Sequence, residues 1–444
     1  MASGAPHPAH WFGSMPALST WVRIPSRRWW IIPPLLCICF FLFTPKIAPS
    51  NCIQIIKFAN AVQVPLNCDS RLLAKLYRDA GKYFTEFNNW KGRPVFFLYG
   101  VVTAPILEPV AVPLWSAIGG FASSDRKLSH YRKYFSLHLA YYSLNIGVVL
   151  FSIWLALNLL GLPRSGMLAI SLSGAIASSD LVAGTIWLAH TNIFNLLAPI
   201  TCAFFVCIGF QNRITRPTQL FLWAGAAGLM VLVYPLFILA LPAWVAGLLL
   251  APILNRFNPR PPLQTGSGSA ALQFLVTPVL FVLPVLIWSL MVRYVFVTPV
   301  YMTAQYGQFV WMLDAYADGK LLAELVTHLS TFVSTLQIHF SWFETILPLS
   351  GAIALLVVGD RSRMRWTDPA LLALLIAALG ILSFNYLQGY YAARLQISVA
   401  SLSYMAVARL AYLLDRPRLG TGFLSAIILA QLVDASMHYA ATAE

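Results

Sequence analysis

The chain has 444 residues, of which 59% are hydrophobic and 10% are charged, and it carries a formal net charge of +14. A soluble domain has about 25% charged residues, and a folded chain of this length cannot hide so much apolar surface inside itself. These values exclude an ordinary soluble protein and indicate an integral membrane protein. The polar loops are too short for a nucleic-acid-binding domain, so the positive charge is expected to set membrane topology and to attract lipid headgroups.

Apolar runs long enough to cross a bilayer as helices recur along the chain, and they predict an all-α, polytopic transmembrane helical bundle of about 10–11 spans. Amphipathic interfacial helices are expected in the outer loops. The predicted spans lie near 30–48, 95–118, 136–160, 167–188, 191–210, 219–254, 272–297, 343–359, 369–388, 396–414 and 421–438. The run 219–254 is too long for one crossing and contains Pro235 and Pro242, so it is predicted to form a helical hairpin.

The predicted organisation has four parts. They are a cytoplasmic segment 1–29, an N-terminal transmembrane module 30–254 with its catalytic first outer loop 49–94, a flexible cytoplasmic linker 255–270, and a C-terminal transmembrane module 271–444 with a second outer loop 298–342.

Short basic loops predict the orientation, because lysine and arginine near span ends are retained in the cytoplasm. Four such loops contain Arg126 to Lys133, Arg256 and Arg260, Arg361 to Arg365, and Arg416 and Arg418. They predict a plasma (inner) membrane protein with a cytoplasmic N-terminus. Two full spans within 161–210 would place Arg213 and Arg216 outside, so one segment there is predicted to be a half-span or re-entrant.

The first outer loop has a distinctive pattern. From position 72, apolar residues recur at helical spacing, and Arg71, Lys75, Arg78 and Lys82 recur on another face. The pattern predicts an amphipathic helix at the membrane surface. Two interpretations stay open, because the basic stripe either binds a lipid phosphate or is a solvated face beside headgroups.

Asp69 opens this predicted helix. It either caps the helix by accepting backbone hydrogen bonds or acts as a catalytic base just above the membrane. Asp79 lies between Arg78 and Lys82 and is expected to pair with these cations. Of the six cysteines, Cys52 and Cys68 share this loop and are predicted to form a disulfide.

Later segments hold weaker candidates. Leucines at helical spacing from position 321 predict a second interfacial helix, and His328 and His339 are weak evidence for a metal site. Arg394 lies among tyrosines, where it either binds a phosphate or a sugar or belongs to an aromatic belt. No nucleotide-binding or metal-binding sequence motif is present.

The residues of the first outer loop resemble the integral-membrane C-type glycosyltransferases, which use polyprenyl-phosphate-linked sugars. The resemblance rests on D-S-R-L-L-A-K-L-Y-R-D-A-G from Asp69 and on G-R-P-V-F-F-L-Y-G, in which Arg93 and Pro94 begin the second span. The resemblance is specific over residues 69–100, and elsewhere it is limited to the general arrangement of spans and outer loops. The chain lacks the soluble C-terminal domain of many members and a paired-acid motif in this loop.

The resemblance implies an enzyme that moves a sugar to a lipid or glycan acceptor at the outer face of the membrane. Asp69 would be the general base. Arg71, Arg78 and Arg394 would contact the donor phosphate, Asp180 with His190 would serve the acceptor or the structure, and Arg93 completes the predicted substrate-binding set. The expected partners are the polyprenyl-phosphate sugar, the acceptor and membrane lipids, and no cofactor or metal is predicted.

Three other functions stay open. A secondary transporter would need ionisable residues within the membrane, for which Asp180 and Asp434 are candidates, but no internal repeat is found. A lipid-linked-glycan ligase or polymerase would centre its chemistry on 298–342 and Arg394. A non-catalytic membrane assembly protein is the third alternative.

Overall fold

The computed structural model describes residues 29–44, 53–58, 62–85, 92–119, 126–163, 166–211, 217–257, 267–296, 309–339, 344, 346–359, 367–389 and 397–443. These residues are overwhelmingly helical, which confirms the predicted all-α polytopic fold. The first half contains α1 (Ile32–Phe43), β1 (Ile53–Phe58), β2 (Val62–Asn67), α2 (Cys68–Arg78), α3 (Ala80–Thr85), α4 (Pro94–Ile118), α5 (Arg126–Lys133), α6 (Phe135–Leu160), α7 (Met167–Ser178), α8 (Asp180–Thr185) and α9 (Phe194–Gln211). The second half contains α10 (Pro217–Val231), α11 (Ala240–Phe257), α12 (Ser267–Leu290), α13 (Val310–Ala317), α14 (Leu321–His339), α15 (Ile346–Val358), α16 (Pro369–Gln388), α17 (Ala400–Leu413) and α18 (Pro417–Ala443).

Seven helices in the described part of the chain are long and apolar enough to cross a bilayer. They are Pro94–Ile118, Phe135–Leu160, Thr191–Phe210, Pro235–Leu254, Leu272–Val295, Pro369–Gln388 and Pro417–Met437. Four further apolar helices are shorter: Trp29–Phe43, Met167–Ser178, Thr218–Val231 and Ile346–Val358. The protein is therefore a multi-pass integral membrane protein, and several of the predicted spans lie on helices shorter than one bilayer.

The segment 161–210 is broken, but the predicted half-span or re-entrant segment is wrong. The chain passes from Leu160, beside Arg409, to His190, beside Asp69, and returns to Cys207, beside Pro369. Helix α7 has 12 residues, which is about 18 Å at 1.5 Å per residue and less than the hydrocarbon thickness. The chain continues through α8 and a turn to a short 3₁₀ helix, Thr191–Ile193, before α9 begins. The predicted hairpin 219–254 is confirmed, because a 3₁₀ turn at Pro235–Leu239 separates α10 from α11.

The two ends of the bundle are distinguished by their contacts. At one end, called here the Arg409 end, Arg409 Nη1 donates to the carbonyl oxygen of Leu160 at 2.7 Å, and the Cys207 thiol contacts the carbonyl oxygen of Pro369 at 3.7 Å. The opposite end is called the Asp69 end. Helix α6 starts beside β1 and β2 and ends at Leu160, so it runs from the Asp69 end to the Arg409 end.

The first predicted outer loop contains a two-stranded antiparallel hairpin that the sequence analysis missed. Strands β1 and β2 pair from Ile53 opposite Asn67 to Phe58 opposite Val62. The amphipathic helix that follows is confirmed as α2, but it ends before Asp79 and restarts as α3. Each strand has only six residues, too few for alternation to stand out from the apolar background.

The segment 126–135 lies at the Asp69 end and not on the opposite side as predicted. The ring centroids of Phe58 and Tyr131 are 6.4 Å apart, and those of Tyr77 and Tyr134 are 6.5 Å apart. Loops on opposite faces are separated by about 30 Å of hydrocarbon, so the prediction that this basic loop faces the side opposite to 49–94 is wrong. The prediction had counted α4 as a crossing between these two segments.

Small residues allow helices α9 and α11 to approach closely. A Cβ added at Gly209 of α9 would lie 2.5 Å from the carbonyl oxygen of Trp244 and 2.8 Å from Cα of Gly247, both in α11. These are backbone atoms that cannot rotate away, so glycine is required at this crossing. Close backbone approach through small residues is how membrane helices gain packing energy without a hydrophobic driving force between them.

Candidate functional site

Asp69 lies in the first turn of α2 but does not cap it. The cap is Asn67, whose Oδ1 accepts a hydrogen bond from the backbone N–H of Ser70 at 2.7 Å. The capping role considered for Asp69 is therefore wrong. The Asp69 side chain is 47% exposed, so its carboxylate is reachable from solvent.

A buried histidine holds the Asp69 carboxylate. His190 Nε2 lies 2.8 Å from Asp69 Oδ2, and the histidine side chain is only 6% exposed. The other ring nitrogen, Nδ1, accepts a hydrogen bond from the backbone N–H of Asn192 at 3.0 Å. A nitrogen that accepts carries no proton, so Nε2 carries the hydrogen and a neutral imidazole donates to the carboxylate.

A cation is fixed beside this pair. Arg93, the residue before α4, donates from Nη1 to Thr191 Oγ1 at 2.6 Å, and its guanidinium lies over the ring of Tyr234 at 5.6 Å from the centroid. His190 holds the Asp69 carboxylate and Thr191 holds the Arg93 guanidinium. Because His190 and Thr191 are consecutive, the Cα atoms of these two anchoring residues are about 3.8 Å apart. The name Asp69 cluster is used below for Asp69, Arg93, His190, Thr191 and Tyr234.

The turn that presents His190 is supported from α6. The side-chain nitrogen of Asn145, Nδ2, lies 3.2, 3.0 and 2.8 Å from the carbonyl oxygens of Thr185, Ile186 and Leu188. Asn145 is fully buried. The carbonyl oxygens of Thr185 and Leu188 also accept from the backbone N–H groups of Leu188 and His190 at 3.0 and 2.9 Å. The amide side chain therefore adds to the backbone bonds of the turn that leads into His190.

Of the predicted site residues, the structure brings Asp69, Arg93 and His190 together. Arg71 Nη2 contacts the Cys68 sulfur at 3.4 Å, and Arg78 is exposed on α2. Asp180 lies at the start of α8, where its backbone N–H donates to Glu344 Oε1 at 3.3 Å. Arg394 lies outside the described residues.

Sequence reasoning missed Asn145, Thr191 and Tyr234 as members or supports of this site. Asn145 and Tyr234 are isolated polar or aromatic residues in apolar stretches, where they were read as part of a span, whereas Thr191 stands between His190 and Asn192 at the start of a predicted span. For Asn145 the usable signal was the amide itself, because a polar side chain within a predicted span is expected to bond backbone or a neighbouring helix.

The outcomes for the other candidates are mixed. Asp79 pairs with Lys82 at 3.5 Å, as predicted. Cys68 is disulfide-bonded, as predicted, while its predicted partner Cys52 lies outside the described residues. His328 stacks on Trp311 with centroids 3.8 Å apart, and among the described residues no group of three or more metal-ligating side chains is found.

A second polar group joins α7, α17 and α18. Gln431 Nε2 donates to the Tyr404 hydroxyl at 2.8 Å, and the Ser178 hydroxyl donates to Gln431 Oε1 at 2.5 Å. All three residues are buried. The bonds satisfy polar groups within the bundle and tie α7 to the C-terminal helices.

An open apolar depression lies between α1 and α18. The described residues that line it are Phe40, Leu432, Val433, Ser436 and Met437. None of these belongs to the Asp69 cluster, so the depression is not continuous with the cluster in the described part of the chain.

No protein-family model, curated protein or solved structure matches the chain.

Proposed function

We propose that the protein is a membrane glycosyltransferase that moves a sugar from a polyprenyl-phosphate-linked donor to a lipid or glycan acceptor at the outer face of the membrane. The observation that carries the proposal is the Asp69 cluster. It holds an accessible carboxylate and an arginine through two consecutive residues of one turn, His190 and Thr191, at the end of the bundle where the chain leaves the apolar helices.

The carboxylate of Asp69 serves as the general base. It removes the proton from the acceptor hydroxyl as that oxygen forms a bond to the anomeric carbon of the donor sugar. The bond from the anomeric carbon to the phosphate oxygen breaks, and its electron pair leaves with the polyprenyl phosphate. The half-exposed side chain of Asp69 then releases the proton to water.

His190 and Arg93 have distinct tasks in this scheme. The Nε2–H of His190 holds one carboxylate oxygen and fixes the plane of the group. Arg93 is fixed to Thr191, the residue after His190. A guanidinium suits a phosphate because its planar fork donates to two oxygens. The exposed side chain of Arg78 adds positive charge at the same end.

Two of the basic loops favour an outward-facing Asp69 end, whereas the basic segment 126–133 lies at the Asp69 end itself and counts against it. Arg416 and Arg418 follow α17 at the Arg409 end, and Arg256 ends α11. Under the positive-inside rule these arginines favour a cytoplasmic Arg409 end. The Asp69 cluster then faces the side on which lipid-linked sugars with an outward headgroup are used.

Asp69→Asn tests the proposal directly. Asn67 already caps α2, so the substitution leaves the cap untouched, and an amide oxygen can still accept from His190. An amide cannot take a proton at neutral pH. The variant is expected to fold and to bind a polyprenyl-phosphate sugar while transfer falls by roughly a hundredfold or more.

Asp79→Asn is the matched control, because Asp79 is an exposed acid on the next turn whose partner is Lys82. It is expected to leave transfer nearly unchanged, since exposed pairs contribute about 0–1 kcal/mol. Near-normal transfer by Asp69→Asn would remove the base from the mechanism. If Arg394→Ala abolished transfer at the same time, the ligase or polymerase alternative would be favoured.

A further inference from the structure

Helix α4 has the composition of a membrane span, yet its contacts keep both of its ends at the Asp69 end. Near its start, Phe96 stacks on Tyr141 with centroids 4.5 Å apart. Near its end, Trp115 lies 6.0 Å from Phe58 and 5.3 Å from Phe135. Phe135 is the first residue of α6, so the far end of α4 meets the near end of the next long helix.

The hairpin that covers α4 is incompatible with the hydrocarbon core. A two-stranded sheet has open edges whose backbone groups lipid cannot satisfy, so such sheets do not occur in contact with acyl chains. The buried apolar cluster of Phe58, Leu66, Ala111 and Tyr131 joins this hairpin to the C-terminal half of α4. The hairpin therefore keeps that half of α4 at the boundary between the headgroup region and the upper acyl chains.

One face of α4 is nevertheless apolar and exposed. Val102, Ile106 and Val110, each four residues apart, are 61%, 69% and 58% exposed. Pro105 and Pro109 lie within the same stretch of α4, and prolines inside a helix favour a bend that lets it follow a surface. An apolar stripe of this size on a membrane protein marks contact with lipid or a partner.

Charge on the neighbouring elements identifies the lipid surface as the partner. The elements beside α4 carry exposed basic side chains, namely Lys75 and Arg78 of α2 and Arg132 and Lys133 of α5. Burial, followed by the negative charge of Glu108, raises the pKa of Tyr77, which is consistent with α2 and α4 lying side by side. Basic residues beside an apolar helical face are the pattern of elements that lie in the headgroup region.

We propose that α4 is an interfacial helix that lies in the leaflet at the Asp69 end, with Val102, Ile106 and Val110 in the upper acyl chains, and that it does not cross the bilayer. With α2, α5 and the hairpin it forms a membrane-surface layer above the bundle. The inference is independent of the proposed function, because it depends on apolar and aromatic contacts and on no catalytic residue.

Depth measurements in liposomes test the proposal. Cys39→Ser serves as the background, because Cys39 is exposed while Cys37, Cys202 and Cys207 are buried. Environment-sensitive fluorophores are placed singly at positions 102, 106 and 110 of α4. Matched labels go at the exposed positions 274, 282 and 290 of α12, which has the length of a full span.

Lipids with a nitroxide near the headgroup or deep in the acyl chain then report depth. All three α4 labels are expected to be quenched more by the shallow nitroxide, whereas the α12 series passes through a maximum of deep quenching at position 282. Preferential deep quenching at position 106 would overturn the proposal. Labels quenched by neither lipid, with disulfide cross-linking of Ile106→Cys between copies, would instead assign the face to a second copy of the chain and would also overturn it.

Sidedness gives an independent check. Ser116→Cys and Ser129→Cys are expected to react with a membrane-impermeant thiol reagent from the same side of the membrane, and Arg418→Cys from the other. If Ser116→Cys reacted together with Arg418→Cys, α4 would be a crossing helix.

Discussion

Replacing Arg409 by leucine is expected to lower the free energy of unfolding by about 3–5 kcal/mol, because it leaves a buried carboxylate without its counter-charge. Arg409 donates from Nε to Asp368 Oδ1 at 3.1 Å and from Nη2 to Asp368 Oδ2 at 2.7 Å. A third bond joins Nη1 to the carbonyl oxygen of Leu160 at 2.7 Å. Both charged residues are buried, so water cannot replace these bonds.

The second single variant, Asp368→Asn, separates the charge from the helix cap. Asp368 caps α16 by accepting from the backbone N–H of Leu371 at 3.1 Å, and asparagine ranks with aspartate as a cap. The variant therefore keeps the cap and leaves a buried guanidinium charge, for a similar loss of about 3–5 kcal/mol. The double variant has no buried charge, and it is expected to lose about 1–3 kcal/mol, mainly for the polar groups left without a partner.

The measurement is reversible unfolding of the purified protein in detergent, followed by tryptophan fluorescence. Arg256→Leu is the control, because this arginine is exposed at the end of α11, and it is expected to change stability by less than about 1 kcal/mol. A double variant whose loss equalled the sum of the two single losses would refute the reasoning, since the two side chains would then act independently.

Two further predictions concern packing and the disulfide. Gly209→Ala is expected to lower the midpoint of thermal unfolding, because its Cβ would meet the carbonyl oxygen of Trp244 at 2.5 Å. In the control Gly225→Ala the added Cβ has no atom within 4 Å, and this variant is expected to gain about 0.5–1 kcal/mol because the unfolded chain loses freedom. Equal midpoints for the two variants would contradict the close helix crossing. Mass spectrometry of freshly extracted, alkylated protein is expected to find Cys68 joined to Cys52, and recovery of Cys68 as an alkylated thiol would contradict the pairing.

The helical bundle could be predicted because apolar length and proline breaks are local properties. The turn around Pro235 and the break within 161–210 both follow from short-range sequence. The assignment of α4 could not be predicted in this way. Composition shows how apolar a helix is, but it does not show whether the helix lies parallel to the membrane surface or crosses the bilayer.

The candidate site was predicted residue by residue but not as an arrangement. Asp69, Arg93 and His190 were selected on separate grounds, and nothing local shows that they meet. A capping role was one of two alternatives for Asp69, yet Asn67 two positions earlier takes that role because its side chain reaches the N–H of Ser70. Neighbouring Asn and Asp are equally good caps, so only the backbone path decides between them.

The separation of the site residues along the chain has a consequence for biosynthesis. Arg93 and its partner Thr191 are 98 residues apart, and at about 5–20 residues per second the ribosome needs roughly 5–20 s to make that interval. During this time the Asp69 and Arg93 side chains are already synthesised, while the turn that will receive them does not exist. A nascent chain that stalls before His190 therefore carries the base and the cation without their anchors, and the site is completed only after Tyr234, which follows α9, has been synthesised.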